Sequence, residues 1–124
     1  KTLKEIKYHY RYSSEWVIRL GDGTEISHQF VQDALNDLWR YTGEMFQPAS
    51  YEKELIESGY SLNLNSIHPE WNSKVEITLN QAGLETPKNE VMQTGGKEGH
   101  HTEQMGFILT ELQFMQRTYP EMKW

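Results

Sequence analysis

Leu3, Ile6, Tyr10, Val17 and Leu20 recur at three- and four-residue spacing, with Ser13 the one interruption and no proline or glycine before Gly21. That period predicts a long amphipathic helix over about residues 1–20. Gly21-Asp22-Gly23-Thr24 reads as a turn followed by an N-cap, and Glu25 suits the positive end of the next helix dipole. A second helix is expected to run to about Phe46 on the stripe Val31, Ala34, Leu38, Tyr41 and Met45, with Phe30 beside it. So short a link returns the chain antiparallel, which makes the first two helices a hairpin.

Pro48 ends that element, Ser50 is placed to cap a short helix through Ser58, and Gly59 is its stop signal. Tyr60 to Asn65 alternates apolar and polar residues, but a lone strand has no partner, so an extended connection is expected. A third long helix follows from Ser66 or His68 to Gly83, with Pro69 in its first turn and Ile67, Trp71, Val75, Leu79 and Ala82 facing inward. Leu84 to Gly99 is turn-rich and reads as a long loop. A last helix over about His100 to Thr118 carries Met105, Ile108, Leu109, Leu112, Met115 and Tyr119 on one face and Phe107 and Phe114 on the other. The pattern is all-α, a single domain over 1–124 built as a partial bundle of four main helices.

The chain has 124 residues, 12 basic against 18 acidic, and a formal charge of -6 with no run of basic residues. Nucleic-acid binding would lack its electrostatic footprint. No apolar run approaches membrane-spanning length and no charged-then-apolar leader is present. With no cysteine, a cytoplasmic location is expected. The chain begins on Lys1, inside predicted helix, and is expected to be part of a longer subunit. Four Trp, seven Tyr and four Phe are a heavy aromatic load for a partial bundle, so Trp16, Trp39, Phe107 and Phe114 are expected to meet a second copy or a missing half.

Candidate chemistry begins on the first helix, where Ile6 falls mid-stripe, His9 at its edge, and Glu5 further round the same side. Di-iron bundles aim Glu and His inward three residues apart. Three before His9 stands Ile6, which cannot ligate iron, so the region reads as a degenerate site in which packing replaced metal and Glu5 and His9 are left as a hydrogen-bonded or ion-paired polar cluster, with each other or with residues outside this chain. Glu25-Ile26-Ser27-His28 matches the spacing, yet both polar residues fall off the stripe and are expected to face solvent. His100, His101 and Glu103 lie on different sides of the last helix, so a role in helix initiation and interface packing is expected, His100 included. Thr94-Gly95-Gly96-Lys97 lacks the spacing of a phosphate loop. No catalytic residue and no metal ligand is assigned.

The runs YHYRYSSEWVIRLGDGTEISH, LWRYTGE, TGGKEGHHTEQMG and LTELQFMQRTYPEMKW resemble the C-type structural, non-catalytic subunits of bacterial phenylacetyl-CoA epoxidases, over the C-terminal half of such a protein. The resemblance implies a ferritin-like fold and a scaffold with no cofactor of its own in phenylacetate catabolism. It implies as partner a catalytic di-iron subunit, which epoxidises the aromatic ring with oxygen and electrons from a reductase. It also makes Lys97 a weak candidate for contact with coenzyme A phosphates. The alternative is a di-iron oxygenase whose site is completed by residues outside this chain, with Glu5 and His9 as ligands.

Overall fold

The computed structural model describes residues 1–88 and 91–123, and every described element is helical. Two residues of the expected loop, 89 and 90, and the terminal 124 lie outside them. The protein is all-α, as its periodicity predicts. Two compact units are present, Lys1–Gln93 and Thr94–Trp124.

In the first unit, α1 (Thr2–Gly21) and α2 (Glu25–Leu38) form the expected hairpin. Thr24 begins α2 with a reciprocal cap: Ser27 N–H donates to Thr24 Oγ1 at 3.2 Å, and Thr24 N–H donates to Ser27 Oγ at 3.0 Å. Ser27 Oγ–H in turn donates to the Leu20 carbonyl at 2.7 Å. His28 Nδ1 lies 2.7 Å from the Gly21 carbonyl; since a carbonyl only accepts, this nitrogen carries the proton. One turn of α2 thereby satisfies two of the orphan carbonyls that end α1. His28 is half-buried by this role and does not simply face solvent, as its position off the stripe suggested.

The second helix ends earlier than the stripe implied. It stops at Leu38 and continues as two 3-10 turns, Trp39–Tyr41 and Gly43–Phe46. The tighter turns bury Phe46 against His68 and Trp71, where it is 7% exposed. Next, α3 (Ser50–Glu57) starts at Ser50 without using it as a cap; the Glu52 carboxylate accepts from Ala49 N–H at 2.7 Å. Gly59 ends the element with φ 77. No strand forms over 60–65; a 3-10 turn at Leu64–Ser66 leads into α4 (His68–Gln81), with Pro69 in its first turn.

The core sits where α4 ends. Leu79, Ala82 and Leu84 are buried, with Val17, Ile18, Val31, Leu35, Trp39 and Val75 packed around them. Of the predicted inward positions on α4, Leu79 and Ala82 are buried, Trp71 and Val75 half-buried, and Ile67 exposed. Gly21 meets Ala82 so closely that an added Cβ would lie 2.6 Å from the Ala82 carbonyl oxygen. Away from that contact, Tyr10 and Trp71 line the same groove, so α1 and α4 run side by side in one direction. Gln32 brackets the following segment: its amide donates to the Glu85 carbonyl and accepts from Glu85 N–H, both at 2.9 Å.

In the second unit, the expected single helix is two, α5 (Glu103–Leu112) and α6 (Phe114–Thr118), broken at Gln113. It starts three residues later than expected, so His100 and His101 precede it.

Candidate functional site

Glu5, Ile6 and His9 occupy adjoining turns of α1, and among the described residues no core covers them. Ile6 is 59% exposed, and Glu5 and His9 are exposed too. Among the described residues neither Glu5 nor His9 makes a side-chain hydrogen bond or ion pair, with each other or with a third group, and the His9 ring meets Tyr8 edge-on at 5.6 Å. Water solvates both groups, so no burial penalty drives them together. Of the predicted stripe only Val17 packs against the core, joined by Ile18, while Tyr10 lines the groove beside α4 and Leu3, Ile6 and Leu20 are exposed. Among the described residues, no three His, Asp or Glu side chains converge as a metal site.

An aromatic ladder on α1 escaped the sequence reading. Tyr8, Tyr12 and Trp16 stand four residues apart, so their rings line one face, with centroids 6.0 Å and 6.3 Å apart at successive steps. The Arg19 guanidinium caps the series 5.2 Å from the Trp16 ring centroid. All three aromatic residues are exposed. The four-residue repeat was the available signal, but it lies opposite the stripe that set the helix.

Trp39 has a different environment. Its ring lies 6.1 Å from Trp71 at a tilt of 34°, Trp71 meets Phe46 at 5.1 Å, and Phe46 packs 4.4 Å from the His68 ring. This box joins the turns after α2 to the start of α4 and leaves Trp39 half-buried inside the unit. Phe107 and Phe114, by contrast, are 69% and 59% exposed, and Ile108 and Leu112 of the opposite face are exposed too.

Between α1 and α4 lies a cavity of about 340 Å³ lined by Tyr10, Ser13, Val17, Trp71, Val75 and Thr78. Its hydroxyls are turned back on their own helices, Ser13 Oγ to the His9 carbonyl at 2.9 Å and Thr78 Oγ1 to the Lys74 carbonyl at 3.0 Å. The walls therefore offer carbon. On the other side of α2, a polar cleft of about 400 Å³ is lined by His28, Gln32, Asn36 and the segment from Gly83 to Lys88.

The loop before α5 is built, not slack. Gly95 and Gly99 adopt φ 99 and 91, conformations that glycine accepts without strain, around a 3-10 turn at Gly96–Glu98. His100 N–H closes it by donating to the Gly95 carbonyl at 2.8 Å. Lys97 sits half-buried on that turn, and His100 is exposed beside it.

The comparisons with known proteins show the lineage of the chain. The family described as phenylacetic acid catabolic protein matches residues 1–124. The chain belongs to that family. It is similar to the C subunit of the 1,2-phenylacetyl-CoA epoxidase of Escherichia coli strain K12, with 40% identity over 124 residues. The match covers 100% of this chain and 50% of that relative, so the chain spans about half the length of the curated protein it matches. No helix among the described residues is long and apolar enough to cross a membrane.

Proposed function

We propose that this chain is part of a structural, non-catalytic subunit of a phenylacetyl-CoA epoxidase, serving phenylacetate breakdown by holding a di-iron catalytic subunit in its working arrangement. The observation that carries the reading is surface. Among the described residues, five hydrophobic ones are buried, while twenty-seven large ones are exposed. Apolar surface in this amount calls for covering chains, and a subunit that exists to contact others supplies the reason. The 40% identity to a protein named as one subunit of an epoxidase supports the same reading.

The residues present do not fit a di-iron centre. Such a centre takes about four carboxylates and two histidines from four helices, whereas Glu5 and His9 stand alone on α1 with Ile6 between them. The oxygen chemistry is accordingly assigned to the partner, and this chain contributes contact surface: the α1 face around Trp16, the groove beside Tyr10, and the Phe107 and Phe114 side of α5 and α6. Co-purification of the intact subunit with the catalytic subunit, with iron counted on each, tests this. Iron is expected on the catalytic subunit alone; roughly two irons on this subunit, lost in His9→Ala, would establish the oxygenase reading instead.

A further inference from the structure

We infer that the outer face of α1 is the docking site for an acidic surface of the catalytic subunit; this deepens the scaffold reading and rests on it. Tyr8, Tyr12 and Trp16 form the exposed ridge of that face. At about 100° per residue, Lys4, Lys7 and Arg11 fall along one flank of the ridge, and Arg19 closes its end over Trp16. Tyr, Trp and Arg are the residues that concentrate binding energy at protein interfaces.

Charge selects the partner. Residues 1–19 hold five cations against Glu5 and Glu15, a net of +3, so the remaining residues carry −9 of the total -6. The helix is thus the basic pole of an acidic chain. Of its carboxylates, Glu15 is engaged by Arg11 at 3.8 Å, a loose exposed pair, and Glu5 stands on the ridge itself. Lys4 and Lys7 make no ion pair among the described residues. A second copy meeting this face through a two-fold axis would set its net positive charge against an equal one. A nucleic acid would need more cations than five offset by two carboxylates. An acidic protein surface with an apolar ridge satisfies both the charge and the aromatic side chains, and the charges would speed its capture.

The test measures binding of the purified catalytic subunit to the intact subunit across a range of NaCl concentrations. Lys4→Glu with Arg11→Glu is expected to weaken binding about tenfold at low salt and to flatten the salt dependence. Trp16→Ala should weaken it about thirtyfold at every salt concentration. Lys53→Glu, on exposed α3, makes the same kind of charge change away from the face and should stay within about twofold of the parent. Binding by the double variant that matches the parent, or falls no further than Lys53→Glu, overturns the docking face while leaving the scaffold reading intact. Salt-sensitive self-association in light scattering, abolished by the same double variant, overturns it in favour of a second copy. No complex with the unmodified subunit removes the scaffold reading and this inference together.

Discussion

At Gly21 a single hydrogen atom decides how closely two helices approach. A methyl group there would lie 2.6 Å from the Ala82 carbonyl oxygen and 2.7 Å from its Cβ, neither of which is the end of a flexible side chain. Gly21→Ala is expected to push α1 from α4 and cost about 1–3 kcal/mol, although the same change at a free helical position stabilises. Gly106, inside α5, is such a position, since nothing lies within 4 Å of its added Cβ. Gly106→Ala should raise stability by about 0.5–1 kcal/mol. Thermal unfolding of the two variants should move in opposite directions. Leu79 and Ile6 form a second contrast: the sequence places both on inward stripes, but one is 5% and the other 59% exposed. Leu79→Ala is expected to cost about 2–5 kcal/mol. Ile6→Ala should cost under about 1 kcal/mol in this chain by itself, not the larger loss its place in the stripe suggests, and denaturant midpoints would rank them.

Among the elements, the end of α1 depends on α2 for its hydrogen bonds. Ser27→Ala and His28→Ala each remove a partner of an α1 carbonyl, and each should cost about 1 kcal/mol, visible as faster amide exchange in the hairpin. The exposed Glu70–Lys74 pair on α4 has the opposite weight. The Lys74 ammonium donates to the Glu70 carboxylate at 2.6 Å, and this hydrogen bond, helped by the opposite charge, holds Glu70 below its usual value and Lys74 above its own. A lowered carboxyl value means the stabilisation is present at neutral pH and fades as pH falls through that value; the raised lysine value means it fades again as pH rises through the alkaline one. Both groups are fully in water, so Glu70→Gln should leave the unfolding temperature almost unchanged at high salt.

The helices themselves were legible because their signals are local: the stripe of α1, Thr24 before Glu25, Pro69 at the start of α4, Gly59 at a stop. What the sequence hid was set by distant partners. Trp39, expected to meet a second copy or a missing half, joins the ring cluster of Trp71, Phe46 and His68 instead of standing free, and the helix expected through Phe46 gives way at Leu38 to the tighter turns that reach that cluster. The last helix breaks at Gln113 although no proline or glycine marks it. Glu5 and His9 were expected to gain polar partners at the core margin, and among the described residues both are exposed.

On the scale of the whole molecule, a small core around Leu79, Ala82 and Leu84 supports long helices whose remaining faces are apolar, aromatic or basic. Neither unit, Lys1–Gln93 or Thr94–Trp124, gathers the ligands of a redox metal among its described residues. Function on this account lies in contact, and it is read best in the activity of the assembly. The most direct measurement is substrate-dependent oxygen uptake by an epoxidase reconstituted from purified subunits, with and without the intact subunit that contains this chain, alongside iron counted per subunit. The account predicts that uptake collapses to background when the subunit is omitted and that the subunit alone carries no iron. Full uptake in its absence, or uptake by the iron-loaded subunit alone, would contradict it.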